Sequence, residues 1–272
     1  MAFTINFLKS NFKSKIIHIS HNAEYLLAMN NALSDKYIFN KLVYFQDAIK
    51  TYFYENNYLK KADYISSICN YDYLYHSKKF PNNSNLILRP VLKKIITNQA
   101  RKCKKNLLIV GNFTWGPKIT NLNLFLNAKN INKLDDNGFV LNIVGNADPK
   151  LVNHVNNKYN FIKMKGRVND LSEYYNKSLI VIIPEKLGGG FKLKVAEAAI
   201  NKSAIFAIKG AINNSLFMPS VNFMEYQSFE NMIDAIISSE NSEENLVNDT
   251  IVHLANSRLP FGGIGSSGIG SY

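Results

Sequence analysis

The sequence predicts an α/β protein whose largest part is a doubly wound parallel sheet of Rossmann type. From residue 106 onward, short apolar runs alternate with amphipathic stretches of helical period. Several of the apolar runs end in glycine, where ligand-facing turns belong in such folds. The 272 residues are 46% hydrophobic and 19% charged, which is ordinary globular composition and excludes general disorder.

The first part of the chain, residues 1–99, predicts a smaller α/β unit. Its elements are a strand at 15–20, a long helical segment at 22–60, a strand at 62–69, a helix at 70–80, and a strand at 85–92 that Pro90 interrupts. The basic stretch RKCKK at 101–105 then predicts a linker. We therefore expect a domain boundary near residue 100.

Residues 100–240 predict a regular series of strand and helix pairs. The strands are expected at 106–111, 139–145, 161–166, 179–184 and 203–210, and the helices at 118–129, 148–157, 171–177, 191–200 and 229–240. This alternation is typical of a parallel sheet with helices on both faces. Residues 241–272 break both the period and the composition, since five of the 14 glycines lie in 261–272.

The sharpest chemical motif is PEKLGGGFKLKVAE at 184–197. Gly188–Gly190 predict a turn with exposed N–H groups, and the helix that follows predicts positive potential suited to a phosphate. Lys192 and Lys194 add two cations that point about 200° apart on a helix. Glu197 can accept hydrogen bonds from a ribose diol. The alternative is an ordinary glycine-rich turn followed by surface lysines, with Glu197 merely paired to Lys194.

At this motif the chain resembles the C-terminal domain of the group 1 glycosyltransferases, which have the GT-B fold. The similar segments are LLIVGNFTWGPKITNLNLFL, FVLNIVGNAD and the stretch from FIKMKG to SAIFA. The resemblance implies that Gly188, Gly189, Gly190, Lys192 and Lys194 hold the diphosphate of a nucleotide-sugar donor, with the lysines in the catalytic role, while Glu197 holds the ribose.

Two further turns are assigned by the same resemblance. Gly111 and Asn112 follow the first strand and would also contact the donor, and Arg167 and Val168, after Gly166, would lie beside the base. Many relatives carry an Arg and a Lys after the first strand, where this chain has Asn112 and Lys118. Many also carry a carboxylate eight positions before the ribose glutamate, a position that is Gly189 here, with Glu185 displaced in the same loop.

The N-terminal unit resembles the acceptor domain of the same family. KIIHISHNAE is similar to the end of that domain's core, and the resemblance gives His21 the catalytic position beside the donor sugar; the alternative is a loop histidine without a role. His18 alternates inward on the strand and is expected to be structural. Because little precedes this strand, we expect the acceptor domain, 1–99, to be truncated.

The C-terminal stretch 247–272 resembles the C-terminal region of aldehyde dehydrogenases. That family's nucleophile needs a cysteine in a glycine-rich context, and neither Cys69 nor Cys103 has one. The sequence therefore predicts no dehydrogenase activity, although the tail alone could suggest the name. We expect 241–272 to be a foreign, fused segment.

The chain carries 32 basic and 20 acidic residues, which gives a net charge of +12 and favours anionic partners. The alternative is that an AT-rich genome encodes many lysines and that much of this charge lies on the solvated surface. No nucleic-acid-binding motif is present. Two cysteines fit a reducing cytoplasm, and no apolar run approaches the roughly 20 residues that span a bilayer. We expect a cytoplasmic protein, and its positive charge is compatible with a peripheral contact at the anionic inner face of the membrane.

Together these features predict a glycosyltransferase that moves a sugar from a nucleotide-diphosphate sugar to a hydroxyl of a saccharide or lipid-linked acceptor, and we expect its turnover to be impaired by the truncation of the acceptor domain. The resemblance implies retention at the anomeric carbon, no metal site and no cofactor besides the donor substrate. The alternatives are a nucleotide-sugar-binding remnant without turnover and a basic nucleic-acid-binding protein.

Overall fold

A computed structural model describes residues 15–34, 37–88, 103–186, 192–212, 220, 222–239, 261–262 and 268–269. The first sheet has three parallel strands in the order β1-β2-β3, with β1 at Ile17–Ser20, β2 at Tyr64–Ser67 and β3 at Ser84–Ile87. Three helices accompany it: α1 at Glu24–Ser34, α2 at Ile38–Tyr58 and α3 at Asn70–Lys79. A single 3₁₀ turn at Leu59–Lys61 leads from α2 into β2.

The second sheet has six parallel strands in the order β6-β5-β4-β7-β8-β9. They lie at Cys103–Val110 (β4), Val140–Val144 (β5), Ile162–Gly166 (β6), Ser178–Ile183 (β7), Ala204–Ile208 (β8) and Met224–Tyr226 (β9). The helices are Gly116–Leu126 (α4), Lys133–Asp136 (α5), Pro149–Lys158 (α6), Ser172–Lys177 (α7), Leu193–Ile200 (α8) and Phe229–Ser238 (α9). This arrangement confirms the predicted doubly wound fold.

The core of the second unit explains why its strands read as continuous apolar runs. Strands β7 and β8 have neighbours on both sides, and nearly all of their residues are buried because helices cover both faces of a parallel sheet. Helix α9 closes the layer by burying Phe229, Met232, Ile233 and Ile236. The first unit has a smaller core, made of Leu59, Ala62, Ile65 and Phe80 with Ile16 packed against it.

Two expectations about local structure are wrong. The predicted linker 101–105 is not a linker throughout, because β4 begins at Cys103, which pairs with Ser178 of β7. The helical segment predicted at 22–60 is two helices, because Tyr37 has an extended backbone that ends the helical path. The carboxylate of Glu55 on α2 accepts a hydrogen bond from Tyr25 N at 3.1 Å, which holds α1 against α2.

In the C-terminal stretch the structure describes two short antiparallel strands, β10 at Phe261–Gly262 and β11 at Gly268–Ile269. Most of the predicted foreign tail lies outside the described residues. Across the part of the chain that is described, we find no helix with the length and apolar character needed to span a bilayer.

Candidate functional site

The candidate site lies where the strand order of the six-stranded sheet reverses. Strand β4 is central, with β5 and β6 on one side and β7, β8 and β9 on the other. In open parallel sheets the crevice outside the carboxyl ends of such strands is where ligands bind. The ends of β4 and β7 and the start of α8 meet here around a cleft of about 460 Å³. The residues that line it are Asn22, Leu27, Val110, Gly111, Asn112, Trp115, Lys118, Lys192, Leu193, Lys194 and Glu197.

Glycines bring the backbone turns at this edge into close contact. Gly145 has φ +142°, and a Cβ at that position would overlap the carbonyl oxygen of Gly111. Gly111 N donates to Val144 O at 3.1 Å, and Gly145 N donates to Gly166 O at 2.8 Å. The turns after β4, β5 and β6 are therefore joined by backbone hydrogen bonds. Beside them the Asn112 side-chain oxygen accepts from Thr114 Oγ1 at 2.8 Å, which fixes the loop at the cleft.

A buried carboxylate sits among the lysines of the site. Glu185, which follows β7, has a side chain that is 3% exposed, and it accepts hydrogen bonds from Lys118 Nζ at 3.0 Å and from Lys194 Nζ. Burial alone would raise its pKa, but the ammonium groups of Lys194 and Lys118 lower the pKa of Glu185 to about 2. Its second oxygen, Oε2, is buried without a hydrogen-bond partner among the described residues.

Lys194 is held by this carboxylate and by the end of β4. Its ammonium group also donates to Val110 O at 2.7 Å. Burial lowers the pKa of Lys194, while Glu185 opposes that shift. The side chain is therefore fixed in place as a buried, paired cation that faces the cleft.

Lys192 occupies a different position, at the N-cap of α8. Its side chain makes no capping hydrogen bond, so the first N–H groups of α8 are uncapped by it. Burial, aided by the like charges of Lys118 and Lys194 and opposed by Glu185, lowers the pKa of Lys192 to about 8. A half-buried ammonium beside a helix N-terminus is an environment that an anionic ligand would stabilise.

Glu197 lies one turn further along α8 and also lines the cleft. Its Oε2 accepts a hydrogen bond from the Tyr175 hydroxyl at 2.8 Å. Tyr175 is buried, and burial together with the neighbouring Glu197 charge raises the pKa of its hydroxyl, so it stays protonated as a donor. This contact orients one oxygen of the carboxylate.

A second cavity, of about 420 Å³, lies in the first unit and shares Asn22 with the cleft. His21 lines this cavity rather than the cleft, and so does His18. Burial lowers the pKa of His18, and the negative charge of Glu55 opposes that shift. His76 also faces this cavity, and its Nδ1 is 2.8 Å from Ser67 Oγ. The remaining lining residues are Ile19, Ser20, Glu24, Lys50, Thr51, Tyr54, Glu55 and Leu59.

The structure therefore brings together some of the residues predicted from the sequence. Gly111, Asn112, Lys192, Lys194 and Glu197 all line one cleft. Arg167 and Val168 do not line it, because they follow β6, two strands away from β4. Gly188, Gly189 and Gly190 lie outside the described residues.

Sequence reasoning missed several residues of the cleft. Trp115, the single tryptophan of the chain, lines the cleft and is 40% exposed, and the hydroxyl of Tyr175, which is not among the lining residues, donates a hydrogen bond to Glu197. Asn22 and Leu27 enter from the first unit. No local pattern marks the missed residues of the cleft. For Tyr175 there is a weak signal, because this second tyrosine of LSEYYNK is buried on the short helix α7 that follows the turn after β6. Among the described residues, we find no cluster of three or more His, Cys, Asp or Glu side chains that could hold a metal ion.

Residues 104–236 match the family model described as glycosyl transferases group 1. The matched range contains almost all of the six-stranded sheet and the lysine cluster at its switch point. The resemblance inferred from the sequence is thus confirmed over this range of the chain.

Solved structures of glycosyltransferases share the fold at low sequence identity. TarM aligns with a TM-score of 0.64 and 14% identity, over 90% of this chain and 48% of its own. WaaG, a glycosyltransferase involved in lipopolysaccharide biosynthesis, aligns with a TM-score of 0.62 and 12% identity, over 95% and 78%. Anabaena Alr3699/HepE in complex with UDP aligns with a TM-score of 0.58 and 11% identity, over 93% and 76%. These likenesses confirm a GT-B-like fold.

Short stretches of the chain are also similar to aldehyde dehydrogenases. A family 3 enzyme, comG, of Dictyostelium discoideum is 51% identical over 39 residues, which is 14% of this chain and 8% of the enzyme. The 4,4'-diaponeurosporen-aldehyde dehydrogenase of Staphylococcus aureus is 46% identical over 43 residues, 16% of this chain and 9% of the enzyme. The chain thus spans less than a tenth of the curated relatives that it matches, and about half of TarM.

Proposed function

We propose that this protein transfers a sugar from a nucleotide-diphosphate sugar to a hydroxyl group of a saccharide or lipid-linked acceptor. The observation that carries the proposal is the set of three lysines, Lys118, Lys192 and Lys194, gathered at the switch point of a parallel sheet beside the N-terminus of α8. UDP is bound in the solved complex of Anabaena Alr3699/HepE, which shares the fold. A nucleoside diphosphate is the anion that such a cleft suits.

Different residues of the cleft would bind different parts of the donor. Lys192 and the first amides of α8 would contact the diphosphate, and they would stabilise the negative charge that develops on it as the sugar leaves. Lys194 is already bonded to Glu185 and Val110 O, so it would act as a fixed positive charge behind the diphosphate. Glu197, oriented by Tyr175, would accept hydrogen bonds from the ribose hydroxyls.

The cavity that contains His21 would receive the acceptor. It adjoins the donor cleft at Asn22, and its wall combines imidazole, hydroxyl and carboxylate groups with the ring of Tyr54. Polar groups beside an aromatic ring suit a saccharide, since they offer hydrogen bonds and an apolar contact. The charge of +12 supports the further proposal of a cytoplasmic enzyme that touches an anionic membrane face, where a lipid-linked acceptor would lie.

Binding and turnover are tested separately. The emission of Trp115, which lies in the cleft, should change on titration with UDP, and Lys192→Ala should weaken binding about 10- to 100-fold because a charge-assisted hydrogen bond is worth roughly 1.5–3 kcal/mol. The exposed Lys163→Ala is the matched control and should bind as the wild type does. Unchanged affinity in Lys192→Ala would overturn the donor site.

Turnover is measured by incubating labelled nucleotide sugars with mixed saccharide and lipid-linked acceptors. Transfer of label that requires Lys192 would support the enzyme. Tight nucleotide binding without transfer, across the donor panel, would instead favour a nucleotide-sugar-binding protein. If the protein binds DNA or RNA instead of nucleotides, and that binding weakens steeply as the salt concentration rises, the result would favour a nucleic-acid-binding protein.

A further inference from the structure

Helix α2 carries an apolar seam that stays largely exposed in the described part of the chain, although the ring of its last member, Tyr52, packs against the ring of Tyr25 on α1 with 5.5 Å between centroids. Along its 21 residues only Ala48 and Glu55 are buried. Ile38 is 77% exposed, Leu42 64% and Phe45 49%, and Ile49 and Tyr52 are each 44% exposed. A helix on the surface of a soluble protein normally turns its apolar stripe toward a core. Here the stripe faces outward.

The spacing of this seam is that of helices that pair with helices. Its members, Ile38, Leu42, Phe45, Ile49 and Tyr52, follow one another at intervals of four and three residues, which corresponds to a repeat of about 3.5 residues per turn. The helix is about 31 Å long, enough for three heptads. None of its charged residues, Lys41, Asp47, Lys50 and Glu55, occupies a seam position.

The exposed area is sufficient for a stable interface. Phe39 and Phe53 flank the seam and are 73% and 61% exposed. With these two neighbours the apolar surface amounts to roughly 800 Å², given that large side chains each offer on the order of 200 Å². A standard interface buries about 800 Å² per partner, and contiguous exposed patches on monomers are smaller than this one.

From this seam we infer that the protein forms a homodimer in which α2 packs against α2 of a second copy. A two-fold interface uses the same patch on both subunits, so a self-complementary apolar seam needs no other partner. A helix that binds a membrane surface normally carries many flanking cations, and its apolar residues need no regular heptad spacing. Helix α2 has two lysines, one exposed aspartate and a regular heptad seam.

The dimer would leave the functional cavities open. Lys50, Thr51 and Tyr54, which line the second cavity, lie on other sides of α2 from the seam. Two copies joined through the seam would therefore each keep an accessible acceptor cavity and donor cleft. Variants in the seam thus separate assembly from nucleotide binding.

Sedimentation velocity of the full-length chain over a range of concentrations tests the inference. The wild type should be a dimer at about 10 µM, and Leu42→Glu should raise the dissociation constant about 100-fold or more, since it places a charge in the seam. Val43→Glu is the matched control: it introduces the same group on the next residue, which is 42% exposed but outside the seam, and it should remain dimeric.

A second seam variant guards against loss of folding. Ile38→Glu adds an acid to the first turn of α2, where the helix tolerates it, and it should also be monomeric with an unchanged melting temperature. A wild type that stays monomeric at about 100 µM would overturn the homodimer. So would a Leu42→Glu variant that dimerises normally, or a Val43→Glu variant that dissociates equally. Binding of a monomeric wild type to anionic vesicles through α2 would reassign the seam to a membrane.

Discussion

At the scale of single residues, the site depends on which of its three lysines the carboxylate of Glu185 binds. Glu185 is bonded to Lys118 and Lys194, whereas Lys192 donates no hydrogen bond to another described residue. The sequence shows two equivalent-looking lysines two positions apart, and helical geometry alone cannot say which one a partner holds. The contact of Glu185 with Lys194 depends on β7 and α8 meeting in space, which no local pattern reports.

The lowered pKa of Lys192 makes nucleotide binding depend on pH. In the free protein this group loses its proton near pH 8, and a bound diphosphate would favour the protonated form. Affinity for UDP should therefore be highest below pH 8 and should fall as the pH rises through that value, with uptake of a proton on binding. Calorimetry at pH 7 and 9, in buffers of different ionisation enthalpy, measures both effects.

Lys192→Arg is the control for this titration, because a guanidinium group stays charged over the whole range. Its affinity should be nearly constant between pH 7 and 9. A wild-type affinity that is equally constant would show that Lys192 does not contact the ligand as a titrating cation.

Replacing the buried carboxylate should destabilise the fold. Glu185→Gln leaves Lys118 and Lys194 without their counter-charge in a buried place, and breaking such a pair costs roughly 3–5 kcal/mol in free energy of unfolding. Chemical denaturation monitored by circular dichroism measures this loss. Glu173→Gln, which removes an exposed ion pair with Lys177, is the control and should change stability little.

The same pair gives a pH signature. The folded pKa of Glu185, about 2, lies below the ordinary glutamate value of about 4.3, so its stabilisation is complete above that ordinary value and is lost as the pH falls toward 2. The difference in unfolding free energy between wild type and Glu185→Gln should shrink over this window. A difference that stays constant down to pH 2 would contradict the assigned ion pairs.

At the scale of elements, the regular part of the chain could be predicted because its pattern agrees with its packing. Strands β7 and β8 bury both faces, so their sequences are nearly unbroken apolar runs at the predicted places. Where tertiary contacts decide, the sequence failed: Met224–Tyr226 is too short to be recognised as an edge strand, and Cys103–Lys105 joins β4 despite its charge. The break between α1 and α2 depends on Tyr37 and on Glu55, far along the chain.

The turn between β5 and α6 offers a test of the glycine contact. Gly145→Ala should destabilise the protein strongly, because its Cβ would overlap Gly111 O and the backbone has a positive φ. Gly116→Ala is the matched control: nothing lies within 4 Å of a Cβ there, and alanine is the better residue in a helix. We expect a lower melting temperature only for Gly145→Ala, and equal melting temperatures would disprove the close approach.

At the scale of the whole molecule, two units of unequal size meet at the donor cleft. Asn22 and Leu27 from the smaller unit face Lys192, Lys194 and Glu197 from the larger one. The family resemblance indicated which unit would bind the donor, but the residues that the smaller unit contributes follow from the packing of α1. The sequence could therefore predict the donor half of the site better than its opposite wall.

The C-terminal stretch should be dispensable for the fold and for nucleotide binding. Helix α9 already completes the six-stranded unit, since Phe229, Met232, Ile233 and Ile236 fill the core and the helix ends at Ser238. The sequence after it changes to a glycine-rich composition similar to another enzyme family, and five glycines in twelve residues make ordering costly in entropy. A chain ended after Asn245 should keep its melting temperature and its affinity for UDP.

The matched control for this truncation is a chain ended after Gln227, which also removes α9. It exposes the core that α9 covers, and so it should fail to fold or melt many degrees lower. Calorimetry and limited proteolysis of the three chains give the comparison. If the chain ended after Asn245 melts several degrees below the full-length protein, residues 246–272 are an integrated part of the fold and the fusion hypothesis is wrong. If only the shorter truncation is unstable, the structural unit closes with α9.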